Sequence, residues 1–154
     1  MIFNVGDSEK ILERVRKLYG EGKYERAIKT LERSLTGSRD DFPLLIELGK
    51  YLFSRNKFVE SATNLKKAYH LAPQRWEEII DAIESDHFAS GTPVETGILL
   101  LEIYADKDML EEARKIIDGS SPEQIEEMAK RYETIYNNVI AKKKIDEYTP
   151  RDLL

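Results

Sequence analysis

The sequence predicts an all-α fold, and three observations carry that prediction. Apolar residues recur at intervals of three and four, the spacing of a helix face, and almost no stretch alternates with the period of two that a strand needs. Only five prolines and eight glycines punctuate the 154 residues. Helix-start signatures recur along the chain with short breaks between them.

The elements follow in order. Asp7 or Ser8 is placed to cap a first helix running to about Tyr19, which Gly20-Glu21-Gly22 breaks. A second helix is expected from about Tyr24 to Leu35, stopping near Gly37. Asp41, followed closely by Pro43, opens a third. Ser54-Arg55-Asn56 ends it, and a fourth runs from about Phe58 to Leu71, before Pro73. An inserted helix spans 75–86 and carries near its start Trp76, the sole tryptophan, read as a packing staple or an exposed hot spot. Thr92-Pro93-Val94-Glu95 reads as a capping box with proline at the first helical position. Asp106-Lys107-Asp108 marks the next turn. Ser121-Pro122-Glu123-Gln124 repeats the box and opens a long helix over 122–143. That makes eight helices in a single domain, 1–154.

An internal repeat underlies this order. A shift of 34 residues carries Leu18 onto Leu52, Gly22 onto Asn56, Tyr24 onto Phe58, Ala27 onto Ser61 and Leu31 onto Leu65. A further shift of 52 carries Leu52 onto Tyr104, Asn56 onto Asp108, Phe58 onto Leu110 and Ser61 onto Ala113. The excess in the second shift leaves room for the inserted helix. Chemical type is kept at each landing: large apolar, turn-former, large ring or aliphatic, then small.

Repeats at about 8–41, 42–75 and 94–121 on this pattern resemble the tetratricopeptide repeat (TPR) family. The middle copy carries it best, with Leu48-Gly49, Phe58, Ser61, Leu65, Ala68 and Pro73. The first copy has Arg14-Val15 in place of Leu-Gly and Arg39 in place of the closing proline, and the third has Leu100-Leu101. The resemblance implies a right-handed helical-hairpin solenoid with a long C-terminal capping helix. Small residues at Ala27, Gly49, Ser61, Ala68 and Ala113 would let its helices approach closely. In the last helix Ile125, Met128, Tyr132, Ile135 and Val139 fall on a heptad seam. It is read as a lid on the last repeat or as a dimer seam.

Composition narrows the function. The chain has no cysteine, which excludes disulfides, thiolate metal sites and thiol catalysis. A net charge of −5 gives no global electrostatic footprint for nucleic acid. No apolar run approaches a membrane span, and Met1-Ile2-Phe3-Asn4-Val5 lacks a basic leader, so a cytoplasmic protein without membrane insertion is expected. His70, near the end of the fourth helix, and His87, placed in a loop, are the only histidines; neither lies in a metalloprotease motif. No nucleophile elbow or phosphate-binding glycine pattern is present. Asp106-x-Asp108 lacks the glycine and third oxygen ligand of a calcium loop, and reads as a turn in which Asp108 caps. The expectation is a protein that is not an enzyme and needs no cofactor or metal.

In the TPR family the first helix of each pair lines a concave, ligand-gripping face. The resemblance therefore places Leu12, Arg16 and Tyr19 there, with Ile46, Lys50 and Phe53 in the second copy and Ile98, Glu102 and Ala105 in the third. Two aligned cations over an apolar floor suit an acidic, amphipathic peptide or helix of another protein. The chaperone-tail carboxylate clamp of that family needs Lys and Asn where Leu12 and Arg16 stand, and Asn where Glu47 stands; none is present. The expected function is non-catalytic protein–protein interaction, as an adaptor, scaffold or assembly factor. The alternatives are a homo-oligomeric scaffold through the 122–143 helix, a regulatory domain of a larger signalling protein, or a secretion-type chaperone, which Lys142-Lys143-Lys144 at a helix end loosely resembles. Thr149-Pro150-Arg151-Asp152 reads as a helix start, hence a docking tail or a chain continued in a longer protein.

Overall fold

The computed structural model describes residues 5–36 and 40–148, with side chains from 7 to 36 and from 40 to 141. The expectations at Met1–Asn4, Gly37, Arg39 and Thr149–Asp152, and for the Lys142–Lys144 side chains, lie outside the described residues. Among those described, the chain is all-helical, with no strand. No helix of this set is long and apolar enough to cross a membrane.

The helices are α1 (Val5–Gly20), α2 (Tyr24–Ser34), α3 (Phe42–Ser54), α4 (Phe58–Leu71), α5 (Trp76–Ala89), α6 (Val94–Asp106), α7 (Leu110–Asp118), α8 (Pro122–Arg131) and α9 (Glu133–Tyr148). A 3₁₀ turn, Pro73–Arg75, precedes α5. The chain divides into two compact units, Met1–Ile83 and Glu84–Leu154.

In the first unit, α1 packs on α2, α3 on α4, and α2 on α3. Leu12, Val15 and Leu18 of α1 meet Ala27, Ile28 and Leu31 of α2 and Leu44, Leu48 and Leu52 of α3 in one core. The predicted cap at Asp41 forms, its carboxylate accepting from Leu44 N at 3.0 Å. α3 and α4 approach closely at Gly49: a Cβ there would lie 2.5 Å from Leu65 Cγ. The Ser61 hydroxyl donates to the Gly49 carbonyl at 2.6 Å in the same contact. In the second unit α6 packs on α7, α8 and α9. Leu99–Leu101, Ile103, Ala113, Ile116, Ile117, Met128 and Val139 are buried there.

Three hairpins, α1–α2, α3–α4 and α6–α7, turn in the same way. Gly22, Asn56 and Asp108 take the left-handed conformation, at φ 80°, 63° and 56°. The next amide reaches back five residues each time: Lys23 to Leu18 at 2.9 Å, Lys57 to Leu52 at 2.9 Å, and Met109 to Tyr104 at 2.8 Å. This is the Schellman closure of a helix, which satisfies carbonyls the helix end leaves bare. The turns recur at the sequence shifts of 34 and 52, so the fold is repeat-like in the described residues.

Several local expectations are corrected. The first helix begins by Val5, and Ser8 lies inside it, donating to the Asp41 carboxylate instead of capping. The inserted helix runs to Ala89 and carries the fully buried His87, which is not in a loop. Trp76 is half-buried at its start. Thr92 does not cap α6: the N-cap position falls on Pro93, and Thr92 takes φ 54°. Its hydroxyl instead donates to Gln124 Oε1 at 2.8 Å, tying the turn before α6 to the start of α8. Asp108 is a left-handed turn residue, with Met109 at the α7 cap position. The capping box at Ser121 and Gln124 forms as predicted. The single helix over 122–143 does not: Tyr132, at φ −137° and ψ 53°, separates α8 from α9. The break lets α8 pack on α6 while α9 packs on both α6 and α7, so the heptad seam is interrupted at its midpoint.

Candidate binding groove

A cavity of about 340 Å³ opens on the first unit, lined from α1, α3, the 3₁₀ turn and α5. Phe42, Pro43 and Ile46 of α3 and Ala82 of α5 give its apolar lining. Ile46 and Lys50 stand one helical turn apart, so both address the same space. Arg16 comes from α1, Arg75 from the 3₁₀ turn, and Glu78 and Asp81 from α5.

The charges are largely paired within the wall. Arg16 Nη2 lies 3.2 Å from Glu47 Oε2 and Nε lies 3.4 Å from Oε1, a bidentate pair. The Glu47 residue is only 5% exposed. Burial pushes its carboxyl up, but hydrogen bonds from Arg16 and Tyr51, with the charges of Lys50 and Arg16, outweigh that and leave it below its ordinary range. The same carboxylate holds the Tyr51 hydroxyl above its ordinary range, after burial as the larger cause. Arg75 Nη2 donates to Glu78 at 2.8 Å, and its guanidinium sits 3.9 Å over the Phe42 ring. That hydrogen bond holds the Glu78 carboxyl below its ordinary range.

The predicted groove residues separate. Arg16, Ile46 and Lys50 come together in the cavity. Leu12 belongs to the core at 9% exposure. Tyr19 and Phe53 turn away from the cavity for one shared reason. Each ends the first helix of its hairpin and meets the aromatic that starts the second. Tyr19 packs edge-on to Tyr24 at 4.7 Å and 64°, and Phe53 to Phe58 at 5.0 Å and 62°. Tyr19 also stacks on Tyr51 at 4.0 Å and hydrogen-bonds Ser54. In the second unit Ile98 is buried, and Glu102 and Ala105 are half-buried.

Sequence reasoning missed Glu47, Arg75, Glu78 and Asp81. Glu47 enters the sequence reading only at the position where the carboxylate clamp has Asn. Its position 31 residues beyond Arg16, three short of the repeat, was the available signal: repeat-equivalent helices side by side bring such positions together. Among the described residues no group of three or more potential ligands is placed to hold a metal ion. Comparison with protein-family models, curated proteins and solved structures returns no match.

Proposed function

We propose that the chain is a TPR-like interaction module of the cytoplasm, non-catalytic, that binds a peptide or helix of another protein in the groove over Ile46. The observation that carries the reading is the cavity between α1, α3 and α5, apolar at Pro43, Ile46 and Ala82 and rimmed by fixed charges. Such a surface matches the way helical repeats grip an extended or helical segment through apolar anchors and a polar rim. The three equivalent hairpin turns support the TPR-like part of the reading.

The test is affinity capture from a source-organism lysate, comparing the wild type with Ile46→Asp. Ile46 is half-buried at the groove and outside the core cluster, so circular dichroism is expected to show the variant folded. A partner captured by the wild type and lost with Ile46→Asp supports the groove. A partner kept equally by both refutes it.

A further inference from the structure

The nature of the occupant follows from which charges in the groove are left over, on the footing that the groove binds a segment of another protein as just proposed. Three cations and three acids line it, Arg16, Lys50 and Arg75 against Glu47, Glu78 and Asp81. Arg16 is held by Glu47 and Arg75 by Glu78. Lys50 and Asp81 form no ion pair among the described residues, and both are exposed. Lys50 comes from α3, one turn past Ile46; Asp81 comes from α5, beside Ala82. Lys50 also acts through its charge on Glu47, without forming an ion pair to it. The groove therefore offers one exposed, unbridged charge of each sign around an apolar floor.

We propose that the occupant is a bipolar segment of a partner protein: an apolar side chain on Ile46 and Pro43, an Asp or Glu facing Lys50, and a Lys or Arg facing Asp81. A purely acidic segment, the ligand suggested by two aligned cations, fits worse. Arg16 is already satisfied, and a second carboxylate would meet Asp81 and the ionised Glu78. Like charges brought together at an interface are strongly unfavourable, whereas a bipolar segment complements both unbridged groups without breaking an internal pair.

The experiment selects a random-peptide phage library on the immobilised wild type and on Lys50→Glu, Asp81→Lys and Ile46→Asp, each checked for fold by circular dichroism. Synthetic copies of the selected peptides are then titrated by fluorescence anisotropy. The wild type is expected to select peptides with both signs flanking an apolar residue. Lys50→Glu should shift selection to basic flanks and Asp81→Lys to acidic ones. The wild-type peptide should bind Lys50→Glu about tenfold or more weakly, because like charges then face each other. If the wild type selects acid-only peptides, or neither charge change alters selection while Ile46→Asp abolishes it, the bipolar occupant is overturned and the groove stands. If no peptide is selected, or Ile46→Asp retains them, the groove reading falls with it.

Discussion

Arg16 of α1 holds the buried carboxylate of Glu47 on α3, with 3.2 Å between Nη2 and Oε2. The side chains differ sharply in setting, at 60% and 7% exposed. Glu47 would be costly to bury alone, while Arg16 keeps most of its hydration. The pair ties the first helices of two successive hairpins together, and it neutralises Arg16 within the cavity wall.

Arg16→Met is therefore expected to destabilise the fold by about 1 kcal/mol at neutral pH, a figure kept small because the guanidinium is mostly solvated. The sign with pH is fixed. Glu47 titrates lower in the folded chain than its ordinary value of 4.5, so the stabilisation is full above that value and fades as pH falls through the folded-state titration. Urea unfolding of wild type and Arg16→Met should give curves that converge as the pH falls below 4.5 and through the lowered titration of Glu47. A constant gap at all pH values would show that Arg16 acts by packing alone.

Gly49→Ala tests the close approach of α3 to α4. Alanine favours a helix by about 1 kcal/mol over glycine. Against that, the added methyl would lie 2.5 Å from Cγ and 2.6 Å from Cδ2 of Leu65, which is fully buried. Overpacking a tight core costs about 1–3 kcal/mol, so the net effect is expected to be a loss of about 1 kcal/mol, read as a lowered denaturation midpoint. An increase would show that Leu65 moves aside freely.

Gln124 carries a cluster of bonds that joins two loops. Its Nε2 donates to the carbonyls of Gly91 and Thr92 at 2.8 and 2.7 Å, while Oε1 accepts from Ser121 N and the Thr92 hydroxyl. Gln124→Glu keeps the shape but removes both donors and sets a carboxylate against two carbonyls. The expected loss is about 2 kcal/mol at pH 7. It should shrink toward pH 4, where the introduced carboxyl is protonated and can donate once. Thermal unfolding at both pH values measures this, and an equal loss at each would refute the donor argument.

The boundaries at Asp41, Arg55, Phe58 and Ser121 were legible because local chemistry decides them: a capping oxygen, a left-handed turn residue, a proline in the first turn. The hairpin repeat was legible for a related reason, since Gly22, Asn56 and Asp108 share one backbone state. Thr92 was misread because its hydroxyl finds a partner 32 residues away, in Gln124, and periodicity does not reveal that pairing. The break at Tyr132 was hidden because the apolar spacing runs straight through it, whereas in the fold α9 reaches α7 as well as the α6 it shares with α8. Ile46 and Lys50, which the TPR resemblance placed on one face, do line one cavity. Phe53 does not, because the same spacing that aligned it with Tyr19 also aligned both rings with their partners across the turn.

His87 gives the last prediction. Its Nδ1 lies 2.7 Å from Thr96 Oγ1, and the Thr96 hydroxyl itself donates to the Pro93 carbonyl at 3.2 Å. Threonine has one proton to donate, so a Thr96 hydroxyl given to Pro93 leaves Nδ1 to carry the hydrogen, and that is the tautomer expected. Nε2 is then a bare acceptor with no hydrogen-bond partner, and a Cβ on Gly97 would lie 3.4 Å from the neighbouring Cε1. Burial brings the imidazole down to about 4 from its ordinary 6.5. Between those values the unfolded chain binds a proton that the folded chain refuses, so stability falls as pH drops through that window and is full above it. The loss amounts to about 3 kcal/mol across the window, at 1.36 kcal/mol per unit. Long-range proton–nitrogen correlation spectra at pH 6 should show the Nδ1–H tautomer. His87→Leu should flatten the difference in urea-unfolding midpoint between pH 6.5 and 4.5. A ring charged at pH 6, or an unchanged slope in the variant, would sink this account of the buried histidine.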